Sequence, residues 1–111
     1  MPPGSEEEAR AYYVGVLGFA EVPKPAPLAA RGGAWFAAPG VTLHLSVTPA
    51  FQPATKAHPA LLVQDLGATR ALLSGAGHEL QPGTPIPGFT RCFTQDPFGN
   101  RIELMQRVDP T

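Results

Sequence analysis

Three side chains of this 111-residue sequence could together hold a metal ion: His44, His58 and Glu103. Two imidazoles and one carboxylate form the facial triad that suits non-haem Fe(II), and the same donors with a bound water suit catalytic zinc. Either metal would act as a Lewis acid, holding a chelating substrate or lowering the pKa of a bound water. Whether the three side chains can meet at one metal ion therefore depends on the secondary-structure elements that carry them.

All three residues fall on predicted strands. Apolar and polar residues alternate from Val41 to Val47, which predicts a strand whose apolar side chains face one way while His44 faces the other. Glu103 occupies the same place in a predicted strand over residues 101–108, and His58 opens a predicted strand over residues 58–63. Because the apolar neighbours would face the helices, His44 and Glu103 would both face the opposite side of a sheet.

The two halves of the chain repeat one another. Arg10–Gly15 aligns with Arg70–Gly75 at a shift of 60 residues, and Leu43–Leu45 aligns with Ile102–Leu104 at a shift of 59 residues. This order predicts an α+β fold of two tandem β-α-β-β-β units, with unit one over residues 1–48, a linker over 49–56 and unit two over 57–108. Two facing sheets would bring His44 and Glu103 to one cleft.

The opening strand of the first unit has no counterpart in this sequence. Shifted back by 60 residues, the strand that begins at His58 would precede Met1. We expect either that translation starts upstream or that the protein dispenses with the strand, and we favour the upstream start. A partner chain could also cover the open sheet edge.

Helix and turn signals support this order of elements. Ser5 and Glu8 have the spacing of a capping box, which predicts a helix that continues to Leu17. Asp65 is placed to cap a second helix that ends near residue 76. Asp96–Asn100 combines Asp, Pro, Gly and Asn, which is typical of a tight turn before the last strand.

Each candidate residue also has a structural interpretation. A histidine on a strand is more often an exposed or hydrogen-bonded residue than a metal ligand, and Glu103 could simply be solvated and pair with Arg101 or Arg107. His78 follows a helix cap, and we expect it to be exposed. Three further residues could line a pocket, although core or surface roles suit them equally well: Trp35, Arg91 and Gln95.

Composition excludes several classes of protein. Hydrophobic residues make up 43% of the chain and charged residues 15%, which supports a packed core. The net charge is -1, so no basic excess indicates nucleic acid or an anionic membrane as a partner. The single Cys92 excludes an internal disulfide and suits a reducing cytosol. The acidic N-terminus is unlike a signal peptide, so we expect a cytoplasmic protein.

The sequence resembles the vicinal oxygen chelate superfamily, which includes glyoxalase I, bleomycin resistance proteins and extradiol dioxygenases. The resemblance covers nearly the whole chain. It is carried by the segments Ala9–Phe19, Val41–Leu45, His58–Val63 and Asp96–Leu104, of which the last is the most specific.

The resemblance implies two curved sheets around a metal site whose ligands come from the first and last strand of each unit. His58 matches the opening-strand ligand of unit two, Glu103 its last-strand ligand and His44 the last-strand position of unit one. The opening-strand ligand of unit one has no counterpart here. The position of His44 is often Glu in glyoxalase I.

Two functions follow from the resemblance and the candidate ligands. One is a metal-dependent lyase, isomerase or dioxygenase that acts on a small oxygen-bearing molecule through Fe, Zn, Ni or Mn held by His44, His58 and Glu103. The other is a non-catalytic protein of the bleomycin resistance type that sequesters a small molecule. A third possibility is a truncated, inactive family member. Family members commonly pair, so we expect a homodimer.

Overall fold

The computed structural model describes residues 1–108 and shows a mixed α+β chain with two sheets. The chain divides into two compact units, of which one is Met1–Pro53 and the other begins at Ala54. This boundary lies within the segment expected to be a linker. Within residues 1–108, no helix has the length and apolar character that a membrane crossing requires.

The first unit has a three-stranded antiparallel sheet of order β1-β2-β3. Phe36 is fully buried and stacks on Tyr13 of the first helix, with the ring centroids 5.3 Å apart, so this pair joins the helix to the sheet. The elements of the unit are α1 (Glu6–Tyr13), β1 (Ala20–Val22), α2 (Ala26–Ala29), β2 (Ala34–Ala38) and β3 (Val41–Leu45).

The start of α1 differs from the sequence prediction. The Ser5 side chain makes no capping hydrogen bond, so the expected capping box is not formed. The Glu6 carboxylate instead accepts a hydrogen bond of 3.1 Å from the Gly33 backbone N–H, a tertiary contact that local sequence does not encode. The helix also ends at Tyr13 rather than Leu17, because turns follow it up to Gly18, whose φ is 79°.

The second unit has a four-stranded mixed sheet of order β4-β7-β6-β5. Its core contains Leu61, Leu73 and Leu104, of which the last two are fully buried. The elements of the unit are β4 (Ala60–Leu62), α3 (Leu66–Gly75), β5 (Gln81–Pro82), β6 (Phe89–Gln95) and β7 (Arg101–Arg107).

Two local signals of the second unit are confirmed. The Asp65 carboxylate caps α3 by accepting a hydrogen bond of 3.0 Å from the Ala68 N–H. Asp96 accepts hydrogen bonds of 2.9 Å from the N–H groups of Phe98 and Asn100, and this turn joins β6 to β7. The turn sets the antiparallel register in which Phe93 lies opposite Glu103.

Candidate metal and ligand site

The second unit brings His58 and Glu103 together. Ala60 of β4 pairs with Glu103 of β7, and the Glu103 N–H donates a hydrogen bond of 3.0 Å to the carbonyl of Pro59. This parallel pairing sets His58, two residues before β4, beside the carboxylate. The His58 Nε2 and Glu103 Oε1 atoms are 2.9 Å apart.

The other ring nitrogen of His58 is held by the backbone. Nδ1 lies 2.7 Å from the Lys56 carbonyl oxygen, and since a carbonyl only accepts, the proton belongs on Nδ1. A neutral His58 would then point the Nε2 lone pair at a carboxylate oxygen. Two lone pairs at 2.9 Å repel unless a cation lies between them, so this pair requires either a proton on Nε2 or a metal ion.

Arg91 is the cationic partner of Glu103. Its Nη1 atom donates a hydrogen bond of 3.1 Å to Glu103 Oε2, while its Nε and Nη2 atoms donate to the Thr84 carbonyl at 3.0 and 2.8 Å. The alternative interpretation, in which Glu103 is solvated and pairs with Arg101 or Arg107, therefore does not hold within residues 54–108. Arg91 reaches Glu103 diagonally from β6, because the β6–β7 register pairs it with Met105, two residues from Glu103 on β7.

The Glu103 carboxylate is buried but stays ionised. Glu103 is 7% exposed, and this burial by itself would raise its pKa. The hydrogen bonds from His58 and Arg91, together with their charges, outweigh burial, so the pKa of Glu103 lies below its ordinary value. The carboxylate is thus available as an anionic ligand at neutral pH.

An aromatic ring borders the pair. Phe93 contacts the His58 ring edge to face, with the centroids 5.4 Å apart. The guanidinium carbon of Arg101 lies 4.0 Å from the Phe93 centroid, and that of Arg91 lies 5.2 Å from it. The alternation of residues along β6 and β7 places these side chains on the face of the sheet opposite the core, which we call the open face.

His44 lies in the first unit, on β3. It pairs across the strands with Trp35, and the two rings stack with their centroids 3.7 Å apart at an angle of 3°. Its participation in a metal site stays a prediction. Within residues 1–108, no group of three or more His, Cys, Asp or Glu side chains is arranged to hold a metal.

Two of the three predicted ligands fit a divalent metal. His58 Nε2 and Glu103 Oε1 are 2.9 Å apart, so both atoms would contact one divalent ion placed beside them. A backbone carbonyl on the second nitrogen of a ligating histidine, and a hydrogen bond to the second oxygen of a ligating carboxylate, are common supports of metal ligands. Lys56 and Arg91 supply these two contacts.

Two other residues considered from the sequence, Gln95 and His78, lie at a cavity that the His58–Glu103 pair does not line. Gln95 lines a small polar cavity of about 230 Å³ together with His78, Glu79 and Asp96. The expectation that His78 is exposed is wrong, since it is half-buried at this cavity. Sequence reasoning missed Phe93 and Arg101 as part of the open face, although their two-residue spacing from Arg91 and Glu103 along predicted strands was a signal for it.

No protein-family model matches the chain, and no curated protein matches it. Solved structures, by contrast, do match the chain. A protein described as belonging to the glyoxalase family, from Bacillus anthracis, has a TM-score of 0.92 and 41% identity, over 97% of this chain and 88% of that chain.

Two proteins of Streptomyces sp. CB03234 are also similar in structure. The antibiotic binding protein TnmS3 has a TM-score of 0.72 and 25% identity, over 97% of this chain and 91% of that chain. A glyoxalase/bleomycin resistance protein has a TM-score of 0.69 and 25% identity, over 94% of this chain and 93% of that chain. The fold is thus that of the glyoxalase and antibiotic resistance proteins. The chain belongs to the vicinal oxygen chelate superfamily.

Proposed function

We propose that the protein is a metal-dependent enzyme, a lyase, isomerase or dioxygenase, that acts on a small oxygen-bearing molecule. The observation that carries the proposal is the His58–Glu103 pair, with 2.9 Å between Nε2 and Oε1. Because Lys56 holds the Nδ1 proton, the opposite nitrogen of the ring is directed at an ionised carboxylate. A divalent cation satisfies both groups.

Each residue has a definite role in this proposal. His58 and Glu103 supply two metal ligands, and His44 supplies the third. Arg91 holds Glu103 Oε2, which leaves Oε1 as the ligating oxygen. Phe93 limits the rotation of the His58 ring by its edge-to-face contact. A bound metal, which could be Fe, Zn, Ni or Mn, supplies a Lewis acid that binds substrate oxygens.

The test is metal binding by the purified protein. Fe(II) under anaerobic conditions, Ni(II), Mn(II) and Zn(II) are titrated against the native chain while Tm and binding heat are measured. We expect at least one metal to raise Tm, and we expect Glu103→Ala and His58→Ala each to weaken its affinity by about 10-fold or more.

Glu21→Ala is the matched control for Glu103→Ala. Glu21 is also a carboxylate hydrogen-bonded to an arginine, with 2.7 Å between its Oε1 atom and Arg10 Nε, and within residues 1–53 it forms no ion pair with a histidine. We expect its removal to leave metal affinity unchanged. The enzyme proposal is wrong if none of the four metals stabilises the native protein.

A second candidate is a metal-free protein that binds and sequesters a small molecule. The observation that favours it is the pairing of Glu103, whose two oxygens both have protein partners, His58 at 2.9 Å and Arg91 at 3.1 Å. The antibiotic binding protein TnmS3 has the same fold. Bleomycin and a panel of aromatic antibiotics serve as probes, and binding that survives EDTA and Glu103→Gln supports this candidate over the enzyme.

We also propose that the chain acts as one domain made of two copies of a β-α-β-β-β unit, and that it forms a homodimer. The matched segments Arg10–Gly15 and Arg70–Gly75 support the duplication. Sedimentation at micromolar concentration tests the dimer. A mass twice the 11.7 kDa of the chain is expected, and a single-chain mass contradicts it.

A further inference from the structure

We infer that Arg101, stacked on Phe93, is an anion site that takes a negatively charged oxygen group of the molecule bound beside His58 and Glu103. The inference rests on the proposed function, because it names the chemical class of that molecule. The ligand would be a small oxyanion-bearing compound, such as a carboxylate, phosphate or phosphonate.

The open face carries more positive than negative charge. The four strands of the second unit contain three arginines, at positions 91, 101 and 107, and a single carboxylate at Glu103. All four residues have odd positions in the paired strands β6 and β7, where Phe93 lies opposite Glu103 and Gln95 lies opposite Arg101. They therefore share one face, where two positive charges remain after Glu103 is paired.

Arg91 does not provide the uncompensated charge. It forms a salt bridge with Glu103, and its other nitrogens are occupied by the Thr84 carbonyl. Within residues 54–108 the salt bridges both involve Glu103, and neither includes Arg101. The half-buried Arg101 thus keeps a guanidinium charge with no carboxylate partner among residues 54–108.

Phe93 holds that guanidinium in place. A ring centroid 4.0 Å from the guanidinium carbon fixes the side chain by a cation–π contact and leaves its N–H groups free of the ring. A planar guanidinium presents two parallel N–H donors, which suit the oxygens of a carboxylate or phosphate. Holding the side chain before binding lowers the entropy cost of that interaction.

The spacing along β7 relates this position to the candidate metal ligands. Arg101 and Glu103 are two residues apart on one strand, so their Cα atoms are about 6.8 Å apart and their side chains share a face. A molecule anchored at Arg101 by an oxyanion could therefore extend to the His58–Glu103 pair with a chain of a few atoms.

The experiment uses inorganic phosphate as the probe on the metal-free protein. Phosphate is titrated in the presence of EDTA at constant ionic strength, with chloride as the balancing ion, and binding is measured by calorimetry and by the shift in Tm. We expect saturable binding that Arg101→Gln weakens at least 10-fold. Arg101→Lys should be intermediate, because it keeps the charge without the planar pair of donors.

Arg107→Gln is the matched control. Arg107 lies on the same face and its guanidinium carbon is 5.6 Å from the Phe89 centroid, but it is exposed and four residues from Glu103. We expect this variant to bind phosphate within about twofold of the native protein, in line with the small worth of exposed charges. Circular dichroism checks that all three variants are folded.

Three outcomes would overturn the anion site: no saturable phosphate binding by the native protein, unchanged binding by Arg101→Gln, or equal weakening by Arg107→Gln. The last outcome would mean that phosphate affinity depends on the net charge of the protein alone. These results are independent of the metal titration. If a metal binds but phosphate does not, only this inference is overturned. If phosphate binds but no metal does, only the enzyme proposal is overturned.

Discussion

The two units carry different chemistry at equivalent strands. In the first unit the polar residue of the last strand, His44, is exposed and stacks on Trp35. In the second unit its counterpart, Glu103, is buried and held by His58 and Arg91. Both residues have apolar neighbours on their strands, so the local pattern does not account for the difference.

The difference between His44 and Glu103 comes from the chain segment that lies beside each last strand. In the second unit β4 runs parallel to β7 and sets His58 beside Glu103. In the first unit the sheet has three strands, and the chain beside the end of β3 is Met1, whose amino group donates to the Ser46 carbonyl at 2.8 Å. A polar residue in the middle of a strand thus becomes part of a site when an adjacent strand supplies its partner.

The largest expected effect tests whether each unit depends on its own core. Phe36→Ala removes a fully buried ring that stacks on Tyr13, and we expect it to lower the free energy of unfolding by about 3–5 kcal/mol. Leu104→Ala in the second unit should cost about 2–5 kcal/mol for the same reason. Urea denaturation measures both values. The control is Leu72→Ala, since Leu72 is 58% exposed and its loss should cost little.

The next prediction compares the two polar residues directly. Glu103→Ala leaves Arg91 and His58 without their partner at a mostly buried position, so we expect a loss of about 2–3 kcal/mol in metal-free protein. His44→Ala removes only an exposed stacking contact and should cost less than about 1 kcal/mol. If urea denaturation shows the same loss in the free energy of unfolding for both variants, the two polar residues do not differ in the way described.

The pH dependence of stability sharpens the same contrast. Although burial opposes the shift, the hydrogen bonds from His58 and Arg91 hold the folded pKa of Glu103 below its ordinary value. Its stabilisation is therefore complete above the ordinary value and is lost as pH falls through the folded pKa. We expect the metal-free native protein to lose more stability between pH 5 and pH 3 than Glu103→Gln does. Urea denaturation across this range measures it. Glu21→Gln is the control, because it removes an exposed carboxylate that also pairs with an arginine.

The smallest effect concerns the first unit. Trp35 is the single tryptophan of the chain, so its fluorescence reports on the stack with His44. His44→Ala exposes one face of the indole to water, and we expect a shift of the emission maximum to longer wavelength. Thr42→Ala, which changes an exposed residue on the same strand that pairs with Ala37, should leave the emission unchanged. Identical spectra for the two variants would contradict the stack.

The sequence alone predicted the elements whose causes are local. Alternating side chains identified β3, the carboxylate of Asp65 identified the start of α3, and the Asp96–Asn100 turn identified the β6–β7 connection. These signals depend on residues within a few positions of each other, so they can be read from one segment. The sequence did not predict the short α2, which begins directly after Pro25 and contains Pro27.

The tertiary structure decided which side chains meet. Sequence proximity favoured Arg101 or Arg107 as partners of Glu103, whereas the register of β6 and β7 selects Arg91 and leaves Arg101 on Phe93. The pairing of β4 with β7 likewise joins His58 to a residue 45 positions away. Strand register depends on the packing of the whole sheet and on the turns that connect it, so such partners cannot be read from either strand alone.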